Sequence, residues 1–189
     1  MRSMKLFSQR ALQHTMLCLT SLALTSQVQA TNFNIGDIES HGRWKSLVLS
    51  LGDEHYARAL DDSSYADSIL SINARPGHCQ QPWVELRVRL QENQAQSEIQ
   101  NHVAADIRVD EQPIHSGSVA FITNRGDDGF YARFNLEEMT LLLNEMTTGE
   151  IMRVRMMRSE NDPWFMAFGL EGAKQAIERM NQLCESPSL

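Results

Sequence analysis

The chain has 189 residues, of which 42% are hydrophobic and 22% are charged, and its formal net charge is −7. This length suits one domain, or one domain preceded by a processed segment. An acidic protein is repelled by the phosphates of nucleic acids and by anionic membrane surfaces, so the charge argues against nucleic-acid binding.

The first 30 residues have the three-part pattern of a secretory signal peptide. Three basic residues and no acidic residue accompany an apolar stretch over 15–26. Val28 and Ala30 fit the small-residue cleavage site of such peptides. The apolar stretch is shorter than the roughly 17 to 25 residues of a membrane span. We therefore expect cleavage after Ala30, export to the periplasm, and no stable membrane insertion of the mature chain.

Cleavage would leave residues 31–189 as a single exported, β-rich domain. The removed segment carries three basic residues and no acidic residue, so the net charge would change from −7 to −10. No linker, repeat or low-complexity tract interrupts 40–184. We expect 31–42 to be an irregular lead-in and 185–189 to be a frayed tail.

Cys79 and Cys184 are the cysteines that remain after cleavage. An even number of cysteines in an exported chain favours a disulfide. The two positions are 105 residues apart, and closing such a loop contributes about 4 to 5 kcal/mol in the chain-entropy model. The alternative is two free thiols. Neither cysteine belongs to a C-x-x-C pair, so a redox role is not favoured.

Alternation of apolar and polar residues with period two recurs along the mature chain and predicts half-buried strands. In the strongest example, the apolar residues of 83–90 alternate with Glu85, Arg87 and Arg89. The strands expected on this basis are 44–51, 68–74, 83–90, 105–109, 119–123, 130–134, 151–157 and 164–168.

Two segments have helical spacing instead. Apolar residues recur over 136–146, with Gly149 just past the end as a stop. An apolar stripe over 172–184 should lie on the sheet and bring Cys184 to the loop that holds Cys79. The predicted class is mainly β (α+β): an antiparallel curled sheet or sandwich with two packed helices, the last one C-terminal and tethered by the disulfide.

The sequence contains no recognisable catalytic, cofactor-binding or metal-binding pattern. The histidines lack zinc-site spacing, the acidic turn at 127–128 lacks the ligands of a calcium loop, and there is no nucleophile elbow. The Arg-Gly-Asp tripeptide at 125–127 suits a hairpin turn better than an adhesion motif. Methionines can bind Cu(I), but Met152 and Met156 fall on the apolar face of a strand, which favours core packing.

Four outward-facing arginines are the candidate contact residues for a partner. They are Arg87, Arg89, Arg153 and Arg155. Their spacing places each pair on the polar face of its strand. If the two strands are neighbours, an acidic protein would display a basic stripe for an anionic ligand or an acidic partner. The alternative is cross-strand pairing with Glu85, Asp106 or Asp110.

Several motifs between 79 and 184 occur in an order found in known envelope proteins. They are Ile-Arg-Val-Asp at 107–110, a helix ending in Thr-Gly-Glu at 148–150, the basic strand 151–155, the Phe-rich segment 165–172 and Cys184. This order resembles the invasion-associated locus B family and related type VI secretion-associated periplasmic proteins. The resemblance implies a β-sandwich-like domain, a final helix with a disulfide to its end, and an accessory or interaction role at the cell envelope.

The function expected from the sequence is therefore that of a soluble periplasmic accessory protein. It would bind another envelope protein or envelope component, without catalysis and without a cofactor. One alternative is a small-ligand carrier or sensor, because a helix over one mouth of a sandwich can enclose a cavity. The other alternative is an envelope hydrolase whose active site is assembled in space.

Overall fold

The computed structural model describes residues 33–89, 102–122, 129–159 and 161–186. The predicted signal peptide and the tripeptide at 125–127 lie outside these residues. The strands and helices are β1 (Asn34–His41), β2 (Trp44–Leu51), β3 (Glu54–Asp61), β4 (Ser68–Ala74), β5 (Trp83–Arg89), β6 (His102–Val109), β7 (His115–Ile122), β8 (Gly129–Leu136), α1 (Met139–Met146), β9 (Ile151–Ser159), β10 (Asp162–Gly169) and α2 (Ala173–Glu185).

All of these strands belong to one antiparallel sheet with the order β1-β2-β3-β4-β5-β8-β7-β6-β9-β10. The sheet does not close, because β1 and β10 are its edges. It curls, however, since the indole Nε1 of Trp44 on β2 donates to the carbonyl oxygen of Gly169 on β10 at 2.8 Å. The predicted class is confirmed, and of the two architectures considered the chain adopts the curled sheet.

Two strands, β1 and β3, were not predicted from the sequence. The prediction of an irregular lead-in is wrong for 34–41, which forms β1. Alternation is absent there because β1 is an edge strand that is exposed along nearly its whole length, and a bulge at Asp37 (φ 51°) interrupts its register. On β3 the buried positions Ala57 and Ala59 are small, so the apolar pattern is weak.

The inner face of the sheet and the two helices form one continuous core. Helix α2 packs across β1 to β4, mainly on β2 and β3, through Ala176, Ile177 and Met180. On β9 the side chains of Met152 and Met156 are fully buried, as expected for core packing. The opposite side of the sheet, which we call the outer face, carries the four arginines predicted to contact a partner.

Helix α1 is held by a largely buried side-chain hydrogen bond and by a tight turn. His115 Nε2 lies 2.8 Å from Glu145 Oε2, which ties α1 to β7. A Cβ on Gly149 would lie 2.3 Å from Val109 Cγ1. The glycine predicted as a helix stop is therefore needed because the backbone passes close to β6.

The disulfide predicted between Cys79 and Cys184 is confirmed, with 5.8 Å between the two Cα atoms. It joins the loop between β4 and β5 to the last turn of α2. The other end of α2 begins at Gly172 (φ 89°), whose missing side chain lets it approach the carbonyl oxygen of His41. The helix is thus fixed to the sheet at both ends.

Replacing Gly172 with alanine should destabilise the protein strongly. A Cβ there would lie 1.5 Å from the oxygen of His41, and the positive φ adds strain. We expect Gly172→Ala to lower the free energy of unfolding by about 2 to 5 kcal/mol, measured by guanidinium titration. Gly36→Ala is the matched control, because no atom lies within 4 Å of its Cβ position. Equal losses in the two variants would contradict the packing described at Gly172.

Removing the disulfide should also be costly. The variant Cys79→Ala/Cys184→Ala releases a loop of 105 residues in the unfolded state, so its free energy of unfolding should fall by about 4 to 5 kcal/mol. The wild-type protein unfolded under reducing conditions is the control and should show a similar loss. A variant as stable as the oxidised protein would show that native-state strain cancels the entropic gain.

Candidate functional site

An open groove of about 460 Å³ lies on the outer face of β6, β9 and β10. The side chains that decide its chemistry come from these strands and from the turn after β6. They are Asp106, Arg108, Ile114, Arg153, Arg155 and Phe165. The groove therefore combines charged and apolar groups, and it includes one of the two arginine pairs singled out in the sequence.

Strand register places the groove side chains next to one another. On β9, residues alternate between the buried core and the outer face, which puts both arginines of this strand outside. Arg153 lies opposite Arg108 on β6 and Ala167 on β10. Arg155 lies two residues along, opposite Asp106 and Phe165.

Two of the three groove arginines already have acidic partners. Arg155 forms an ion pair with Asp106, which is the cross-strand pairing considered as the alternative to a binding role. Arg108 donates to Glu111 Oε2 at 2.7 Å and to the carbonyl oxygen of Gln112 at 2.9 Å. Both arginines are partly exposed, so these pairs contribute little stability.

Arg153 differs from its neighbours. No described residue forms a hydrogen bond or ion pair with its guanidinium group. Its neighbour across the strand pair on β6 is another arginine, Arg108, whose charge Glu111 balances. Among the described residues, Arg153 is therefore the groove arginine that has no acidic partner.

Exposed apolar side chains flank the arginines. Phe165 is 66% exposed and Ile114 is 59% exposed, although both are large hydrophobic residues. Aromatic residues and arginine are enriched in protein interfaces, and buried aromatic anchors carry much of the binding energy there. The groove has the composition of a binding surface.

The edge of β10 beside the groove is blocked against strand addition. The hydroxyl oxygen of Tyr65 accepts the backbone N–H of Ala167 at 2.9 Å, and Trp44 occupies the carbonyl oxygen of Gly169. Pro163, near the start of the strand, has no N–H to offer. A partner at the groove would therefore meet the outer face of the sheet and would not add a strand along Ala167 and Gly169.

A buried carboxylate positions the loop that carries Tyr65. Asp61 is fully buried and accepts hydrogen bonds from the backbone N–H groups of Ser63 and Ser64 at 2.8 and 3.1 Å. The hydroxyl groups of both serines also donate to it. The Tyr65 ring then packs edge-on against Phe168 at 5.2 Å between centroids, next to the groove.

The other arginine pair lies elsewhere on the outer face. Arg87 and Arg89 are on β5, and β8, β7 and β6 separate β5 from β9. Four steps of about 4.8 Å place the pairs about 19 Å apart along the sheet. The condition for a single stripe, that the two strands be neighbours, is not met. The Arg87 guanidinium lies 5.9 Å from the ring centroid of Tyr131.

The remaining acids considered as arginine partners have other roles. Glu85 binds Arg58 at 3.1 Å, and Arg58 also donates to the side-chain oxygen of Asn73 at 2.5 Å. Burial lowers the pKa of the Arg58 guanidinium, an effect that the Glu85 charge opposes. Asp110 accepts the backbone N–H groups of residues 150 and 151 at 2.8 and 2.9 Å. Neither acid therefore neutralises Arg153.

One group of side chains has the order of a nucleophile, a base and an acid. Ser46 Oγ lies 2.9 Å from His41 Nε2, and His41 Nδ1 lies 3.8 Å from Glu39. Ser46 is fully buried, however, and its Oγ also accepts a hydrogen bond from Arg179 at 3.0 Å. Arg179 binds the carboxylate of Glu39 as well. The group fastens α2 to β1 and β2 and does not present a serine to a substrate.

Within the described ranges, no three or more histidine, cysteine, aspartate or glutamate side chains come together as a metal site. Neither helix of this part of the chain has the length and apolar character needed to cross a bilayer.

Comparison with known proteins supports the fold and leaves the family open. No protein-family model matches the chain, and no curated protein matches it significantly. A solved structure, invasion associated protein B from Bartonella henselae, is similar with a TM-score of 0.53 and 12% sequence identity. The match covers 78% of this chain and 97% of that protein. The resemblance predicted from the sequence is therefore confirmed at the level of the fold.

The blocked edge of β10 can be tested through Tyr65. Tyr65→Phe keeps the ring contact with Phe168 and removes the acceptor of the Ala167 N–H, at a cost of about 0.5 to 1.5 kcal/mol. Hydrogen exchange followed by NMR should show faster exchange of the Ala167 amide. Tyr56→Phe is the control, since the Tyr56 hydroxyl donates to Glu54 on the surface. An Ala167 amide that is unaffected in both variants would contradict the role given to Tyr65.

Proposed function

We propose that this protein is a non-catalytic accessory protein of the bacterial cell envelope that works in the periplasm by binding another envelope component. The observation that carries the proposal is Arg153, which has no acidic partner among the residues that the structure describes and lies beside the exposed ring of Phe165. A guanidinium group in this position is available to a partner that supplies the opposite charge.

Three further observations support the proposal. The pattern of 1–30 is typical of a signal peptide, and disulfides such as Cys79–Cys184 persist in oxidising compartments. The similar solved structure is named as an invasion-associated protein, which suits an accessory role. The Ser46 group is inaccessible to a substrate, so it gives no support to a hydrolase.

A small-molecule carrier is the second candidate. The groove volume of about 460 Å³ falls within the roughly 300 to 1,000 Å³ of ligand sites. The groove is open to solvent, however, while the buried methionines of β9 fill the core that an enclosed site would occupy. In this alternative, the groove would bind an anionic small molecule at Arg153.

Affinity capture from an envelope extract of the source bacterium would test the interaction. The oxidised protein is the bait, and bound proteins are identified by mass spectrometry. Arg153→Glu should lose the specific partner, because it places an acidic group where the partner's anion binds. Arg87→Glu makes the same charge change four strands away and should retain the partner.

The other outcomes are equally informative. If Arg87→Glu loses the partner and Arg153→Glu retains it, the contact lies on β5. If both variants retain the partner, the role of the groove is contradicted. Capture of nothing, together with a ligand mass found by native mass spectrometry, would favour the carrier.

A further inference from the structure

We infer that the groove takes an extended acidic peptide segment of the partner, with a carboxylate on Arg153 and an apolar side chain two residues away on Phe165. This inference rests on the proposed function, because it specifies the chemistry of the component that the groove binds. Its support comes from the charge balance of the groove, the spacing of its side chains and the blocked edge of β10.

The charges of the groove side chains would be balanced by a ligand with a single negative charge. The groove region holds three guanidinium groups, and two of them are paired with Asp106 and Glu111. Among the described residues, the positive charge of Arg153 is the one left without an acidic partner. A phosphate dianion would meet the field of both neighbouring carboxylates. A carboxylate matches the remaining charge and can be bound by both N–H groups of a guanidinium fork.

The spacing of the groove side chains matches an extended peptide. Arg153 and Phe165 are diagonal neighbours, since Arg153 lies opposite Ala167 and Phe165 lies two residues before Ala167 on β10. Diagonal neighbours in an antiparallel pair are about 7 to 8 Å apart. In an extended chain, side chains at i and i+2 point to the same side and are about 6.6 Å apart. A carboxylate and an apolar group at this spacing reach both residues together.

A second apolar contact is available on the other side of the arginines. Ile107 pairs with His115, which places Ile114 next to Arg108 on the outer face. Ile114 lies on the far side of Arg108 from β9, two strand spacings or about 10 Å from Arg153, so it can contact the segment beyond the residue that reaches Arg153. The spacing that the groove defines is therefore acidic-x-apolar, in either chain direction, where x denotes any residue.

The same features favour a protein segment over a lipid surface. Attraction to anionic membranes needs clusters of basic residues, whereas the described part of this groove has one cation without an acidic partner, in an acidic protein. Tyr65 and Trp44 occupy the edge of β10. The segment consequently lies across the outer face and is held by its side chains.

Fluorescence anisotropy with a labelled peptide tests the inference directly. The probe is Thr-Leu-Thr-Glu-Thr-Leu-Thr, blocked at both ends and added to the oxidised protein. It should bind, and replacing its glutamate with glutamine should weaken binding about tenfold, as expected for loss of a charge-assisted contact. Arg153→Gln should weaken binding of the glutamate peptide by a similar factor. Lys174→Gln, the same charge change at an exposed position on α2, should leave binding unchanged.

Two further probes separate the parts of the inference. The peptide Thr-Thr-Leu-Glu-Leu-Thr-Thr has the same composition but the wrong spacing, and it should bind more weakly. Vesicles containing phosphatidylglycerol should show no Arg153-dependent binding in sedimentation, and such binding would instead assign the groove to a lipid headgroup.

Three results would overturn the inference: no peptide binding, equal binding of the glutamate and glutamine peptides, or peptide binding that is unchanged by Arg153→Gln. If one of these results is found while affinity capture still depends on Arg153, the proposed function stands and only the peptide inference fails. If affinity capture is also unchanged by substitution of Arg153, the proposed function and the peptide inference both fail.

Discussion

The placement of α2 across β1 to β4 is the constraint on which the rest of the structure depends. Residues 172 and 184 fix its two ends, the first by close approach to His41 and the second through the disulfide. The helix covers the inner face of the first four strands and forms a core with them. Trp44, which is buried in that core, donates a hydrogen bond to Gly169 on β10, the strand at the other end of the sheet. That bond shows the curl of the sheet, because β10 must come back towards β2 to form it.

The curl also determines what β10 can present to a partner. Its inner side chains, such as Phe168, are buried, and its edge is occupied by side chains from the first half of the chain. Its outer face alone remains exposed, with Phe165 at the groove. The buried carboxylate of Asp61 holds the Tyr65 loop that occupies this edge. A polar contact far from the groove in sequence thus leaves the outer face of β10, and not its edge at Ala167, exposed beside the groove.

Local patterns in the sequence predicted those elements whose two faces differ in environment. On β9 and β5, apolar and basic residues alternate because one face is buried and the other is not. The disulfide was predicted from the cysteine count and the expected oxidising compartment alone. β1 was missed because both of its faces are exposed, which leaves no alternation to detect. The groove itself could not be predicted. Period-two spacing identifies Arg153 as outward-facing, but strand order brings Phe165 and Ile114 to it and separates it from Arg87.

Under the proposed function, the ion pairs beside Arg153 would give the groove selectivity as well as affinity. The carboxylates of Asp106 and Glu111 satisfy the flanking arginines, so they remove the general attraction for polyanions that three adjacent arginines would have. Among the described residues, what remains is the cation of Arg153 beside the exposed ring of Phe165. Specificity is a difference between affinities, and the acidic neighbours would lower the affinity for phosphate-rich competitors more than for a single carboxylate. The ion pairs considered as an alternative to a binding role are thus compatible with the proposed one.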